Sequence, residues 1–584
     1  MAETTGGAVL ARMLQAEGVE KVFGIIDGTY FGFYSALHEL GIDIVTPRHE
    51  SSAAHMAGAY ARLTGRLGVC MASNGPGVAN LLPGLVVEQA EGNRVLAITS
   101  CRRPQIQYPD RGGTYQCFDQ AGVIGRIAKW SEAVPSFDRV AEMARIALRH
   151  AWEGRPGVVH LDVPENVMNG KVKAEPAIWR PAMYRRTMPL PPPADQVEQA
   201  AQLLARAPAP MIHAGSGVVH AAAHAELARV AELLHAPVTT SWAARGVLPE
   251  TSPLAVPMVW VKLNHQVRNE ADTVLVVGSR LGETDWWGKP PYWRAPAEQA
   301  TIQVDIDGHV LGANKPLALA VMADARLFLS ALAERLQALV GQMPLEDRRR
   351  RVQAYGQTMR QERAKLDERL QDLAVPMNSA HIAHVCQQVF PASTVLVADG
   401  GNSTIWTMFF HQVQVPNTLV STFKFGMLGA GVAQALGAAA AFPDRPVCCI
   451  IGDGAMGFHP QEIETAVRLR ARVVYLVVCD KQWGMVKMNQ QFALKPLKTL
   501  VFKSLGPDET IRADLGEIRF DDLARAMGAH GERVADPREL RAAIERSLAC
   551  GGPAVIHVDV DPVKHMWAPG LMHFKDMHLE PKGR

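Results

Sequence analysis

Short β-branched runs alternating with helical segments recur along the whole chain, and this alternation restricts its fold more than any other feature. KVFGII, IDIVTP, LGVCMAS and RVLAITS fill the first third. Between them lie helical patterns such as residues 7–19, with a stripe of Val9, Leu10, Met13 and Leu14, and SAAHMAGAYARLTG. Strands joined through helices pair in parallel, and a parallel sheet needs helices on both faces. This unit closes near GVVHLDVPENV, and WRPAMYRRTMPLPPPA then reads as a linker. A second unit carries PMIHAG, PVTTSW, DTVLVVG, ATIQVDI and ALAVMAD. It ends in EDRRRRVQAYGQTMRQERAKLDERL, whose charge run reads as a solvated face or a connecting helix. The last third restarts with TVLVADGG, TLVSTF, VCCIIGDG, VVYLVVC and AVIHVDV.

With 584 residues the chain exceeds a single core. The pattern predicts three doubly wound α/β domains with mostly parallel sheets, over residues 1–180, 190–345 and 365–563, and a tail over 564–584. The first and last units are expected to share one topology. A formal charge of +2 leaves no electrostatic footprint for nucleic acid. The apolar runs are too short to span a bilayer, and MAETTGGAVLARMLQ lacks the basic and apolar regions of a secretory signal. The eight cysteines lack CxxC spacing and sit mostly in apolar runs, which predicts buried thiols and a cytoplasmic protein.

The chemistry concentrates after Val447. VCCIIGDGAMGF runs as a strand into Gly452, Asp453 and Gly454; a helical QEIETAVRLR follows, and VVYLVVC then ends at Asp480. A strand–loop–helix–strand unit of this length places Asp453 and Asp480 at the carboxyl ends of neighbouring parallel strands, where open α/β sheets bind ligands. The glycines allow close approach of backbone amides to a phosphate, and the following helix offers its N-terminus. Two carboxylates suit a magnesium ion that bridges a diphosphate.

This segment resembles the thiamine-diphosphate motif of the acetolactate synthase and pyruvate decarboxylase superfamily, with Cys479-Asp480 where that family usually carries Asn-Asn. The resemblance implies magnesium held by Asp453, Asp480 and the Gln482 carbonyl. Gly452, Gly454, Ala455, Asn402 and Ser403 (in DGGNST) would contact the diphosphate. Within FGMLGAG, Gly426 would receive the 4′-amino group and Leu428 would bend the cofactor into a V. RHE followed by a small-residue helix and SNGPG is similar to the family's pyrimidine-binding domain, which makes Glu50 the partner of the ring N1′ and adds Gly75. The three domains then become pyrimidine-binding, middle and diphosphate-binding. A homodimer or homotetramer is implied, with active sites shared between chains.

Gly28, Thr29, Asn74, Gln116, Trp483 and Met485 are expected around the reacting carbon, with Trp483 and Met485 also touching the cofactor. YQCFDQAG resembles the acetolactate-synthase segment that carries a catalytic glutamine, here Gln116. Gly28 stands where pyruvate decarboxylases carry an acid, which favours ligation to a second carbonyl over aldehyde release. The implied activity is 2-oxo acid decarboxylation with carboligation. DKQWGMVKMNQ is similar to sulfoacetaldehyde acetyltransferase, and GSRLGETDWWG with IQVDID to CoA-dependent lyases. These keep open a non-decarboxylating lyase, hydrolase or acyltransferase acting on a 2-hydroxyacyl-CoA, a diketone or a sulfoacetaldehyde-like substrate. Arg280 and Asp307 are candidate contacts for FAD or ADP in the middle domain. MWAPGLMHF, past the last strand, is a candidate lid.

Overall fold

The computed structural model describes residues 3–571. It contains three six-stranded sheets, each wholly parallel and flanked by helices. In the first, the strands run edge to edge as Asp43–Val45, Lys21–Gly24, Gly68–Ala72, Val95–Cys101, Val158–Pro164 and Trp130–Ala133. In the third they run Leu419–Val420, Val395–Asp399, Val447–Gly452, Val473–Cys479, Ala554–Asp559 and His530–Val534. Ranked by chain order within each domain, both read 2-1-3-4-6-5, so the shared topology expected from the sequence is present. The middle sheet runs Ala255–Val256, Val238–Thr240, Pro210–Ala214, Thr273–Val277, Ala300–Asp305 and Leu319–Met322, the 3-2-1-4-5-6 order of dinucleotide-binding folds.

The central strands are apolar along their whole length because helices cover both faces. Val447–Ile451 and Val473–Cys479 are buried at every position. One apolar cluster crosses the boundary between the first and third domains, where helix Glu50–Thr64 packs on helix Ala430–Ala441. Small residues allow that approach: a Cβ on Gly437 would lie 2.4 Å from the Met56 carbonyl oxygen. These two helices hold the two domains of one chain in a fixed relation.

Two sequence readings are refined. The charge run forms the connecting helix Leu345–Asp367, yet Arg348 within it is 1% exposed. Its guanidinium donates to the carbonyls of Leu204, Ala205, Ala207 and Leu234 at the ends of middle-domain helices, because a buried cation needs acceptors wherever it can find them. The proline-rich linker is anchored as well, since Arg185 pairs with the buried Glu17 at 2.6 Å. All eight cysteines are free and six are buried, as expected. No helix among the described residues is long and apolar enough to cross a membrane. The candidate lid begins inside the described residues, where Met566, Ala568 and Leu571 pack into the third domain's core; its remainder lies outside them.

Candidate active site

Two strand ends in the third domain create the first half of the site. Gly452 pairs with Val478 on the neighbouring strand, so Asp453 and Asp480 emerge side by side at the carboxyl edge. Asp453 accepts from the amides of Gly454 at 2.7 Å and Lys481 at 2.8 Å. Burial, and next the charge of Asp480, push the Asp453 carboxyl up to about 6; burial pushes Asp480 up to about 7. The strand order reverses between Val395–Asp399 and Val447–Gly452, and the crevice at that switch point faces helix Gly401–Phe410.

Asn402 lies in the first turn of that helix, 5% exposed, and both polar atoms of its side chain lack a partner. A buried amide with nothing to bond is costly unless a ligand completes it. Asp480 lies beside it, since a Cβ on Gly484 would meet Asn402 Nδ2 at 2.5 Å and Asp480 Oδ2 at 3.2 Å. Ser403 lies 3.0 Å from the Cβ position of Gly452, the Trp483 ring covers Gly454, and Met485 covers Gly401. Ala455 is buried just beyond. Gln482 is buried and donates through Nε2 to the Pro562 carbonyl at 2.8 Å. Gly426 adopts φ +69° on an exposed loop, and Leu428 packs partly buried against the interdomain cluster.

The first domain repeats the geometry at its own switch point, between Lys21–Gly24 and Gly68–Ala72. Glu50 opens helix Glu50–Thr64 and accepts from Asn80 Nδ2 at 3.1 Å. Thr29 Oγ1 lies 2.6 Å from Ser100 Oγ, and the Asn74 amide donates to that same Ser100 oxygen at 2.9 Å. Asn74 Nδ2 donates to the Gln116 carbonyl at 3.0 Å, and Gly75 packs directly under Gln116. The Gly28 carbonyl accepts from Asn169 at 3.0 Å. Its neighbour Asp27 is turned back to cap the short helix, accepting from Thr29 N and Thr29 Oγ1. The acid adjacent to the glycine is therefore already engaged. Thr29, Asn74, Gly75 and Gln116 are brought together in one domain; Asn402, Asp453, Asp480, Trp483 and Met485 are brought together in another.

Three family models match in chain order: the N-terminal TPP binding domain of thiamine pyrophosphate enzymes over residues 4–123, their central domain over 197–332, and their C-terminal TPP binding domain over 399–558. The chain belongs to the thiamine pyrophosphate enzyme family. Among its relatives is the probable acetolactate synthase large subunit of Methanocaldococcus jannaschii, 28% identical over 96% of this chain and 92% of that one. The acetolactate synthase large subunit IlvG of Mycobacterium tuberculosis is 29% identical over 95% of this chain and 96% of its own. Isozyme 3 of Escherichia coli, again a large subunit, is 25% identical over 93% and 92%.

Within this thiamine pyrophosphate enzyme, several polar residues that sequence reasoning missed tie the two half-sites to the scaffold. Asp399 precedes helix Gly401–Phe410 and accepts from the Gly400 and Gly431 amides, with its carboxyl pushed up to about 6 by burial. Glu462 is fully buried and accepts from the Arg48 amide through both oxygens at 3.1 Å, bracing the turn that begins at Glu50. Glu91 of the first domain accepts from the Lys424 and Phe425 amides, supporting the loop that carries Gly426. The pairings of Glu462 with Arg48 and of Glu91 with Lys424 join residues 414 and 333 positions apart. Only Asp399, set directly before Gly400 and Gly401, carried a local signal.

The middle domain's own switch point opens into a cavity of about 440 Å³ lined by Gly217, Gly278, Ser279, Arg280, Arg155 and Lys424, among others. Arg280 is where the sequence placed it. Asp307 is replaced among the lining residues by Asp305, because strand Ala300–Asp305 ends two residues earlier and the chain turns there, with Asp307 N bonded to Asp305 Oδ1. A larger cavity of about 770 Å³ lies between the middle domain, the connecting helix and the third domain, away from every residue of the two half-sites.

Proposed function

We propose that this enzyme decarboxylates a 2-oxo acid and joins the resulting acyl unit to a second carbonyl compound, in the manner of acetolactate synthase. The observation that carries this reading is similarity to acetolactate synthase large subunits along more than nine-tenths of the chain. The same relatives favour it over the CoA-dependent or sulfoacetaldehyde alternatives. Thiamine diphosphate supplies a thiazolium carbon that adds to carbonyl groups and then stabilises negative charge on the former carbonyl carbon. Asn402, with both side-chain atoms unpartnered, and the amides opening helix Gly401–Phe410 suit its diphosphate.

Asp453 and Asp480 are mutually repelling carboxyls, and Gln482 offers a carbonyl oxygen; these residues would hold a divalent cation, magnesium by the oxygen character of its ligands. With thiamine diphosphate bound, Glu50 would hold and release a proton at its pyrimidine ring, and the Gly426 carbonyl would receive the ring's amino group. Leu428, Trp483 and Met485 exclude water around the rings. Gln116 and Thr29 orient the 2-oxo acid and the acceptor. Gly28 brings no side chain to this loop, and Asp27 is turned back onto Thr29 through Oδ1, which favours ligation over early protonation of the acyl unit.

The two half-sites meet across a homodimer or homotetramer in this reading, so that Glu50 serves the cofactor held by another chain. The cavity at the middle-domain switch point, with Arg280, Arg155 and Lys424, would suit the ADP portion of FAD or ADP itself. Incubation with pyruvate, thiamine diphosphate and magnesium is expected to release carbon dioxide and yield a ligated hydroxyketone product. Absence of turnover across a panel of 2-oxo acids would overturn the reading.

A further inference from the structure

Beneath Gln116 runs a chain of buried polar groups that none of the steps above uses. Gln120, 3% exposed, opens helix Gln120–Gly125. Its Oε1 accepts from the Gly75 amide at 2.7 Å, while its Nε2 donates to the Ser100 carbonyl at 2.9 Å and to Asp162 Oδ1 at 3.0 Å. Asp162, also 3% exposed, sits on strand Val158–Pro164 directly opposite Thr99, whose hydroxyl donates to the same Oδ1 at 2.6 Å. The same Nε2 also donates to Asp162 Oδ2 at 3.2 Å, so both oxygens of the carboxyl face the donating end of Gln120.

The upper end of the chain holds Gln116. Gly75 adopts φ +65°, and a Cβ there would lie 2.7 Å from the Gln116 carbonyl carbon. Gln116 itself adopts φ +52°, a strained conformation for a residue with a side chain. The Asn74 side-chain amide fixes its carbonyl, and the Asn74 backbone amide is bonded to Ser100, so Gln116 rests on Asn74 and Gly75 together.

An amide side chain has one accepting end and one donating end. Asp162 and the Ser100 carbonyl both demand the donating end of Gln120, which leaves its oxygen for Gly75. We propose that Gln120, oriented by Asp162, is the positioning residue for Gln116, setting where that side chain meets the two carbonyl substrates. Neither touches substrate; both act through the Gly75 backbone. The inference rests on Gln116 facing substrate.

The test compares Gln116→Ala, Gln120→Met (similar length, no polar end), Asp162→Asn and the Gln116→Ala/Gln120→Met double variant with the wild type. Turnover of pyruvate is measured with thiamine diphosphate and magnesium, together with the ratio of ligated product to free aldehyde. Amide exchange of residues 112–119 is followed separately in cofactor-free protein. Gln120→Met is expected to lower kcat by about tenfold or more, since displacements of an ångström carry penalties of that order. It should shift the product ratio toward that of Gln116→Ala, speed exchange over 112–119, and leave half-saturation by thiamine diphosphate within about twofold. The double variant should be little worse than Gln116→Ala, because Gln120 acts through Gln116.

Wild-type product ratio and exchange in Gln120→Met, or fully additive losses in the double variant, would overturn the proposal. If Gln116→Ala itself changed nothing, Gln116 would not face substrate, and the proposal would fall with that reading. Should Gln120→Met not fold, Asp162→Asn must shift the ratio in the same direction; an unchanged ratio there would overturn it equally.

Discussion

Glu50 and Asp480 carry the most specific consequences at the scale of single residues. Replacing Glu50 with Gln keeps a hydrogen-bonding group near Asn80 but removes the proton exchange with N1′ proposed for it. Turnover is expected to fall about 10²- to 10⁴-fold, the usual worth of a positioned acid–base group, while half-saturation by thiamine diphosphate shifts far less. Steady-state kinetics with cofactor titration separates the two, and an unchanged kcat would refute the role. By the resemblance read from the sequence, Asp480 takes a place that usually holds asparagine. Asp480→Asn keeps an oxygen at the ligand position and removes the charge that, after burial, pushes Asp453 up. Magnesium-dependent activity should survive within about an order of magnitude, whereas Asp480→Leu should abolish it. Magnesium titrations of the two variants check this, and loss of activity in both would show that the negative charge itself is required.

Single elements carry consequences for stability. The connecting helix Leu345–Asp367 is tied to the middle domain by Arg348, which satisfies four backbone carbonyls. Arg348→Ala would leave those carbonyls in a dry site and should cost roughly 2–4 kcal/mol, read as a drop in denaturation midpoint. A shift near zero would mean water enters and replaces the guanidinium. Strand Val158–Pro164 carries two buried groups of opposite pH sense. Burial pushes His160 down to about 3, so between that value and about 6.5 the unfolded chain binds a proton that the folded one does not. Its stabilising contribution is present above about 6.5 and is lost as pH falls; His411, also pushed down to about 3, acts likewise. Burial pushes Asp162 up to about 7, so the folded chain keeps a proton from about 4 to 7 and that contribution is lost as pH rises. Between pH 6.5 and 4.5 the melting temperature should therefore lose less, or gain more, on acidification in His160→Gln than in the wild type, and the reverse in Asp162→Asn. Parallel slopes in all three proteins would contradict these assignments.

Across the whole molecule, the parts legible in the sequence were those written locally. Alternating strands and helices foretold three parallel sheets, and the glycines around Asp453 with the strand end at Asp480 foretold two aspartates side by side at neighbouring strand ends. The contacts that brace the site were not legible, because Glu462 with Arg48, Glu91 with Lys424 and Asp162 with Gln120 meet only after the sheets assemble. Asp305 rather than Asp307 lines the middle-domain cavity, because the exact end of a strand has no sharp sequence signal. The two half-sites sit on domains with the same strand order, each at its own switch point. That arrangement suits a cofactor clasped between the diphosphate half of one chain and the pyrimidine half of another.

Subunit complementation tests that claim most directly. Glu50→Gln and Asp453→Ala chains, each inactive as a homodimer, are given different affinity tags, co-expressed, and the mixed dimer purified through both. If the site is shared between chains, one of its two sites combines an intact Asp453 with an intact Glu50, and the mixed dimer should show about half the wild-type turnover. If every site lay within a single chain, the mixed dimer would be as inactive as its parents, and the shared-site account would be wrong.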